Sequence, residues 1–219
     1  MFKFIVYSLT YPMAQFFEIH SQNPQRRLIS QTIEIIRNGG VIAYPTDSSY
    51  AIACRLDDKQ ASDKIRRIRQ LDEKHDFTLI CQDLAQIATF SKIGNEAFRL
   101  IKSLTPGPYT FILDATKEVP RRLQHAKKKT IGIRIPDHAI AQVLVAELGE
   151  PLLSATLIFP GETESIADPY DIRSRLEHEI DLVIDAGIIH YEPTTIIGFE
   201  NNSPILLRQG KGPAPMLEN

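Results

Sequence analysis

The sequence predicts an α/β protein, α+β in other schemes, built as a sheet with helices packed against it. Three observations carry that reading. Windows in which apolar residues recur every three or four positions alternate with short apolar runs bounded by Gly, Pro and Asp, the pattern of helices alternating with strands. The chain has 219 residues, 43% hydrophobic and 24% charged, enough to bury a full core without staples. No Ser/Gly linker, low-complexity run or internal repeat divides it, so one domain is expected.

Asn23 is placed to cap a first helix that begins at Pro24, carries Ile29, Ile33 and Ile36 on one face and ends near Asn38. The Gly39-Gly40 pair follows, and its first glycine suits a left-handed helix end. Val41 to Tyr44 reads as a strand stopped by Pro45, which has no N–H to give a ladder. Tyr50 to Cys54 returns as a second strand, and Asp57 or Asp58 opens a helix with Ala61, Ile65 and Ile68 inward and Arg66, Arg67 and Arg69 on its other faces. Phe77 to Cys81 is a strand; Ala97, Leu100, Ile101 and Leu104 form the next helical stripe. Pro106-Gly107-Pro108 turns into the strand Tyr109 to Leu113. Thr130 to Ile135 alternates, with Ile131, Ile133 and Ile135 on one face and Thr130, Gly132 and Arg134 on the other. A helix through Ile140, Val143, Leu144 and Leu148 precedes the strand Leu152 to Thr156. Asp168-Pro169 starts a helix through Ile172, Leu176 and Ile180, and Leu182 to Ile184, Thr195 to Phe199 and Pro204 to Leu207 are the last strands.

Composition narrows the chemistry. Cys54 and Cys81 each sit inside an apolar run, which favours small buried side chains in a reducing compartment over a disulfide or a nucleophile. Six scattered histidines lack zinc-type spacing, so no protein-built metal site is expected. Residues 1–12 are apolar but too short to span a membrane and lack a signal-peptide cleavage pattern. A cytoplasmic chain without membrane partners is expected. Net charge is −2, yet residues 55–134 hold 17 basic and 10 acidic side chains while residues 135–219 hold 4 and 14. A basic middle third can focus an anionic ligand, and a solvated charged surface is the plain alternative.

Thr46, Asp47, Ser48 and Ser49 place four hydrogen-bonding side chains at a strand's carboxyl end, where open α/β sheets bind ligands. On spacing alone an ordinary polar loop explains them equally well. The run Gly-Gly-Val-Ile-Ala-Tyr-Pro-Thr-Asp-Ser-Ser-Tyr over residues 39–50 resembles the signature of the YrdC/YciO family. Further segments are similar in the same order: Pro106-Gly107-Pro108-Tyr109-Thr110, Gly132-Ile133-Arg134-Ile135-Pro136, Pro193-Thr194-Thr195-Ile196-Ile197 and Leu207-Arg208-Gln209-Gly210. Several motifs in order weigh far more than one. Arg66-Arg67-Ile68-Arg69-Gln70-Leu71 and Phe77-Thr78-Leu79 are similar to the YciO branch. The resemblance spans about residues 13–212. It implies a YrdC-like domain there, an extension from a misplaced start codon at 1–12, and a tail at 213–219.

The resemblance implies an open, twisted, mixed sheet with a concave basic face. It also implies a chemistry: threonylcarbamoyl-AMP synthesis from L-threonine, bicarbonate and ATP, the first step toward threonylcarbamoyladenosine in tRNA. That reaction needs no protein nucleophile, because a carbamate oxygen attacks the α-phosphate and pyrophosphate leaves. It needs cationic groups to hold two anions together and to stabilise the transferring phosphoryl centre. Mg²⁺ is expected on the phosphate oxygens. By resemblance Thr46, Asp47, Arg69, His75 and Thr194 meet the substrate, while Thr110, Arg134, Ser154, Thr156 and Arg208 meet ATP or AMP. On the residues alone, Arg134 is as readily a surface-reaching strand arginine and Thr110 a plain β-branched strand residue.

Two departures from the catalytic branch point to weak or altered synthase activity. Its Lys-x-Arg motif has become Arg69-Gln70-Leu71, and Ile158 stands where its Ser-x-Asn motif has asparagine. Each lost charge-assisted hydrogen bond is worth roughly 1.5–3 kcal/mol. The alternative is non-catalytic binding of structured RNA (double-stranded RNA, tRNA or rRNA), with Arg66, Arg67, Arg69, Arg121, Arg122, Lys127, Lys128 and Lys129 on the phosphates. No aromatic residues interleave those charges, which argues against single strands.

Overall fold

A computed structural model of the chain describes residues 13–70 and 77–217. The first helix, α1 (Arg26–Arg37), follows a short strand, β1 (Gln15–Glu18). Asn23 does not cap α1: Gln25 occupies that position without a side-chain cap, and the Asn23 amide donates to His20 Nδ1 at 3.2 Å. At the other end Gly39 takes φ +85°. Its N–H donates to Ile36 O at 3.1 Å and that of Gly40 to Ile35 O at 2.9 Å, the paired bonds of a Schellman closure.

The chain then forms β2 (Ile42–Pro45) and β3 (Tyr50–Arg55), and enters α2 (Lys59–Arg69) through Asp58, whose carboxylate accepts from Ala61 N. After β4 (Thr78–Ile80) come α3 (Leu84–Phe90) and β5 (Ser91–Lys92), neither of which the periodicity predicts. Next are α4 (Asn95–Leu104) and β6 (Tyr109–Ala115), then a single 3₁₀ turn (Arg121–Leu123) and β7 (Thr130–Arg134). The chain closes with α5 (Ala139–Leu148), β8 (Leu152–Thr156), α6 (Pro169–Leu176), β9 (Leu182–Asp185), β10 (Thr195–Glu200) and β11 (Ser203–Arg208).

One open mixed sheet joins all of these strands in the order β1-β9-β2-β3-β8-β4-β7-β6-β10-β11, with β5 attached to β6. Each face carries its own core. On one side Ile65 of α2, Ile87 of α3, Ile101 of α4 and Ile172 of α6 pack on Ile52, Phe111, Ile133 and Leu153. On the other, Ile29, Ile33 and Ile36 of α1 and Ile140, Leu144 and Val145 of α5 pack on Ile42, Ala53, Leu152 and Leu182. This second core takes residues from β9, β2, β3, β8 and β4 and none from β7, β6, β10 or β11. Half of that face is therefore left without a helix among the described residues, and the cleft lies there.

Candidate functional site

Strand direction alone gathers the residues of the cleft. β6 runs antiparallel to β7 and parallel to β10, and β10 runs antiparallel to β11. Consequently Thr110 near the start of β6, Arg134 at the end of β7, Thr194 just before β10 and Arg208 at the end of β11 meet at one end of the sheet. The register makes this explicit, pairing Thr110 with Ile196 and Ile196 with Arg208. Deeper in, Ser154 pairs with Thr78, Thr78 with Gly132 and Gly132 with Ile112, which forms the floor. A Cβ on Gly132 would stand 3.1 Å from Thr78 Oγ1 and 3.5 Å from Thr110 Cγ2, so the missing side chain deepens the floor. The resulting cleft holds about 320 Å³, and its lining includes Ser49, Arg69, Thr156 and all of the residues just named.

Three arginines and a row of hydroxyls line the cleft, with no carboxylate among the described lining residues. The arginines differ in their commitments. Arg134 is buried; its Nη2 is ion-paired with Asp47 Oδ1, its Nη1 donates to Ser48 Oγ at 3.2 Å, and its Nε has no partner. Arg208 is exposed and donates from Nε and Nη2 to Thr194 O at 3.2 and 2.8 Å. Arg69 has no ion pair among the described residues, its buried Nε is unpartnered, and burial lowers its pKa from the ordinary guanidinium value. Desolvation without a counter-charge disfavours a cation, and an anion entering the cleft would relieve that.

The hydroxyls are held in pairs. Thr110 and Thr194 share a hydrogen bond of 2.8 Å, and Ser154 shares one of 2.9 Å with Tyr44. Burial pushes the Tyr44 phenol up to about 12, which keeps its proton available for that bond.

The loop between β2 and β3 closes one side. Thr46 lies under the loop rather than in the cleft lining: it is 1% exposed, its Oγ1 accepts from the Ser48 and Ser49 amides at 3.2 Å, and it donates to Ser49 O at 2.8 Å. Asp47 faces Arg134 and also accepts from Asp137 N at 3.1 Å, which fixes the loop on the strand ends.

Comparison with known proteins gives this arrangement a context. The sequence model of the family named Sua5_yciO_yrdC, described as "Telomere recombination", matches residues 34–210. The chain is 53% identical over 200 residues to the YciO protein of Escherichia coli K12, covering 91% of this chain and 97% of that one. The chain belongs to the Sua5/YciO/YrdC family. The E. coli YciO crystal structure superposes with a TM-score of 0.90 at 51% identity, covering 94% of this chain and 100% of that one. More distantly, a threonylcarbamoyl-AMP synthase of Vibrio vulnificus is 26% identical, over 83% of this chain and 98% of its own length. P. abyssi Sua5, crystallised with L-threonine, shares the fold with a TM-score of 0.81 at 24% identity, over 89% of this chain and 57% of that one.

Within this family frame, the cleft brings together Arg69, Thr110, Arg134, Ser154, Thr156, Thr194 and Arg208, with Asp47 and Thr46 in the adjoining loop. His75, like Leu71, lies outside the described residues. Ile158 stands beyond the end of β8 and bridges Ser165. The basic residues do not share one concave face. Arg66, Arg121, Arg122 and Lys129 line a separate groove between α2 and the 3₁₀ turn, Lys128 lines a third hollow, and Arg67 and Lys127 are exposed. Arg66 also lies 4.7 Å over the Phe77 ring. The 3₁₀ turn closes the β6–β7 hairpin, at the strand ends opposite Thr110 and Arg134. Ser49 lines the cleft, as its place at the strand end suggests, whereas Thr78 and the Gly132 gap are site features that the motifs do not name. Period-two alternation does put Gly132 on the face of Arg134, but it carries no sign that the missing side chain deepens a cleft.

Proposed function

We propose that the cleft binds ATP or AMP together with L-threonine and supports slow formation of threonylcarbamoyl-AMP, on the path to tRNA threonylcarbamoyladenosine. The observation that carries this reading is that the described lining residues include three arginines and no carboxylate, two of the arginines, Arg69 and Arg208, having no ion pair among the described residues. Two anions, a carbamate and a nucleotide phosphate, would repel each other in water. A low-dielectric cleft with fixed guanidinium groups offsets that repulsion and stabilises the charge that develops on the phosphoryl oxygens. Bicarbonate condenses with the threonine amine, losing water, to give the carbamate, whose oxygen forms the new bond to the α-phosphorus as the bond to pyrophosphate breaks. Arg208 and Arg69 suit the phosphates, and the paired hydroxyls of Thr110 and Thr194 suit the sugar or phosphate edges. Mg²⁺ bound with the nucleotide would neutralise charge at the leaving group, and the described lining, hydroxyls and arginines without a carboxylate, offers it no protein ligand set. The threonylcarbamoyl-AMP synthase of Vibrio vulnificus and the threonine-bound P. abyssi Sua5 support the substrate class. Calorimetric titration of the protein with AMP and with threonine tests the binding half of the reading; heat from neither ligand would refute it.

A second reading, structured-RNA binding, is favoured by the groove lined by Lys59, Arg66, Arg121, Arg122 and Lys129. Its 3₁₀ turn lies at the ends of β6 and β7 opposite Thr110 and Arg134, so both readings can hold at once.

A further inference from the structure

We infer that Lys211 is a positioning residue for the loop 46–49, which by resemblance meets threonine through Thr46 and Asp47, an assignment that rests on the reading above and adds a residue to it. Three chain segments border the cleft and meet away from its floor: the loop 46–49, the stretch 192–194 before β10, and the turn 208–212 after β11. Backbone bonds join them in part, with Glu192 N donating to Ser48 O at 2.9 Å and Lys211 N to Pro193 O at 2.8 Å. Among the described residues Lys211 ties all three through one side chain. Its Nζ donates to Asp47 O at 2.7 Å and pairs with Glu192 Oε2 at 3.2 Å.

The contact on the Asp47 carbonyl matters because of what Asp47 does at its other end. Its carboxylate holds Arg134 and accepts from Asp137 N, so the Lys211 ammonium fixes the backbone from which that carboxylate projects. The turn carrying Lys211 is itself built for close approach. A Cβ on Gly210 would lie 2.2 Å from Pro193 O, and one on Gly212 would lie 2.4 Å from Tyr109 Cε1. Tyr109 Oη donates to Pro213 O at 2.9 Å, and Gln209 Nε2 donates to Gly212 O at 2.8 Å. The lysine is thus delivered to the loop from a rigid base. Its side chain is 37% exposed, which makes it a weak contributor to global stability and leaves its effect on the loop to be seen in ligand affinity.

The test is calorimetric titration of threonine and of AMP, separately, into the full chain and three variants. Lys211→Met, which keeps length and removes the donor, is expected to weaken threonine about tenfold and AMP by a smaller factor through Arg134, with thermal unfolding unchanged. Lys211→Arg is expected to restore most of the threonine affinity, and Glu192→Gln, which leaves the Asp47 contact in place, to stay within twofold of the parent. A parent that binds neither ligand would refute the functional reading itself. A parent that binds threonine as tightly as Lys211→Met does, or equal losses in Lys211→Met and Glu192→Gln, would overturn the role of Lys211 while leaving that reading intact.

Discussion

Taking the carboxylate from Asp47 would leave the Arg134 guanidinium buried with an unpaired charge, since the two side chains are only 9% and 8% exposed. Breaking such a pair from one side costs about 3–5 kcal/mol, far more than a surface ion pair is worth. Asp47→Asn is therefore expected to lower the unfolding free energy by about that amount in urea, and a loss under about 1 kcal/mol would show that the pair is solvated. Arg208 is different because it is exposed and holds only neutral oxygens of Thr194, the carbonyl and the hydroxyl. Arg208→Ala is expected to weaken AMP binding by ~1–3 kcal/mol with little effect on unfolding. His138, at the start of α5, has an unpartnered Nδ1, and burial lowers its pKa. The unfolded chain takes up that proton first as pH falls, so His138 lowers stability as pH drops through its ordinary value of about 6.5. The fall in unfolding free energy between about pH 8 and pH 5 is expected to be shallower in His138→Gln, measured by urea titration at each pH. Arg134 marks the limit of reading single residues: the motif suggests a phosphate ligand, whereas its partner Asp47 lies 87 positions away and only folding reveals the ion pair.

At the scale of elements, the caps decide where helices stop and start. The Asp58 carboxylate accepts from Ala61 N at 2.9 Å, so Asp58→Ala is expected to cost about 1 kcal/mol by denaturant unfolding. The long periodic helices, the Gly39 closure and the alternating strand β7 were legible because each is specified by its own residues. Three elements were not. The strand β1 has a half-exposed pattern with no clean alternation and exists through its parallel pairing to β9, far along the chain. The helix α3 spans only seven residues, two turns, too few for a period to stand out, and β5 is two residues defined by pairing to β6. Asn23 was misread because its residue type suits a cap, while the chain enters α1 two positions later. The cleft itself followed from the motifs, but its floor came from register, which no local pattern encodes.

The whole molecule separates two anion-attracting surfaces on opposite ends of β6 and β7. Double-stranded RNA binding, if carried by the α2 and 3₁₀-turn groove, depends on released counterions, so its affinity is expected to fall linearly in log–log terms with salt. Charge reversal at Arg121 and Lys129, which line that groove, is expected to weaken unrelated RNAs alike in filter binding and to leave AMP titration unchanged; equal RNA affinity in parent and variant would rule that surface out. The catalytic claim is tested elsewhere. Incubating the protein with ATP, threonine, bicarbonate and Mg²⁺ while following pyrophosphate and the adenylate product measures it most directly. Slow release of both products is expected, in equal amounts, requiring all three substrates and lost in Arg208→Ala. Pyrophosphate no faster than in a protein-free control, from protein that demonstrably binds AMP and threonine, would contradict it.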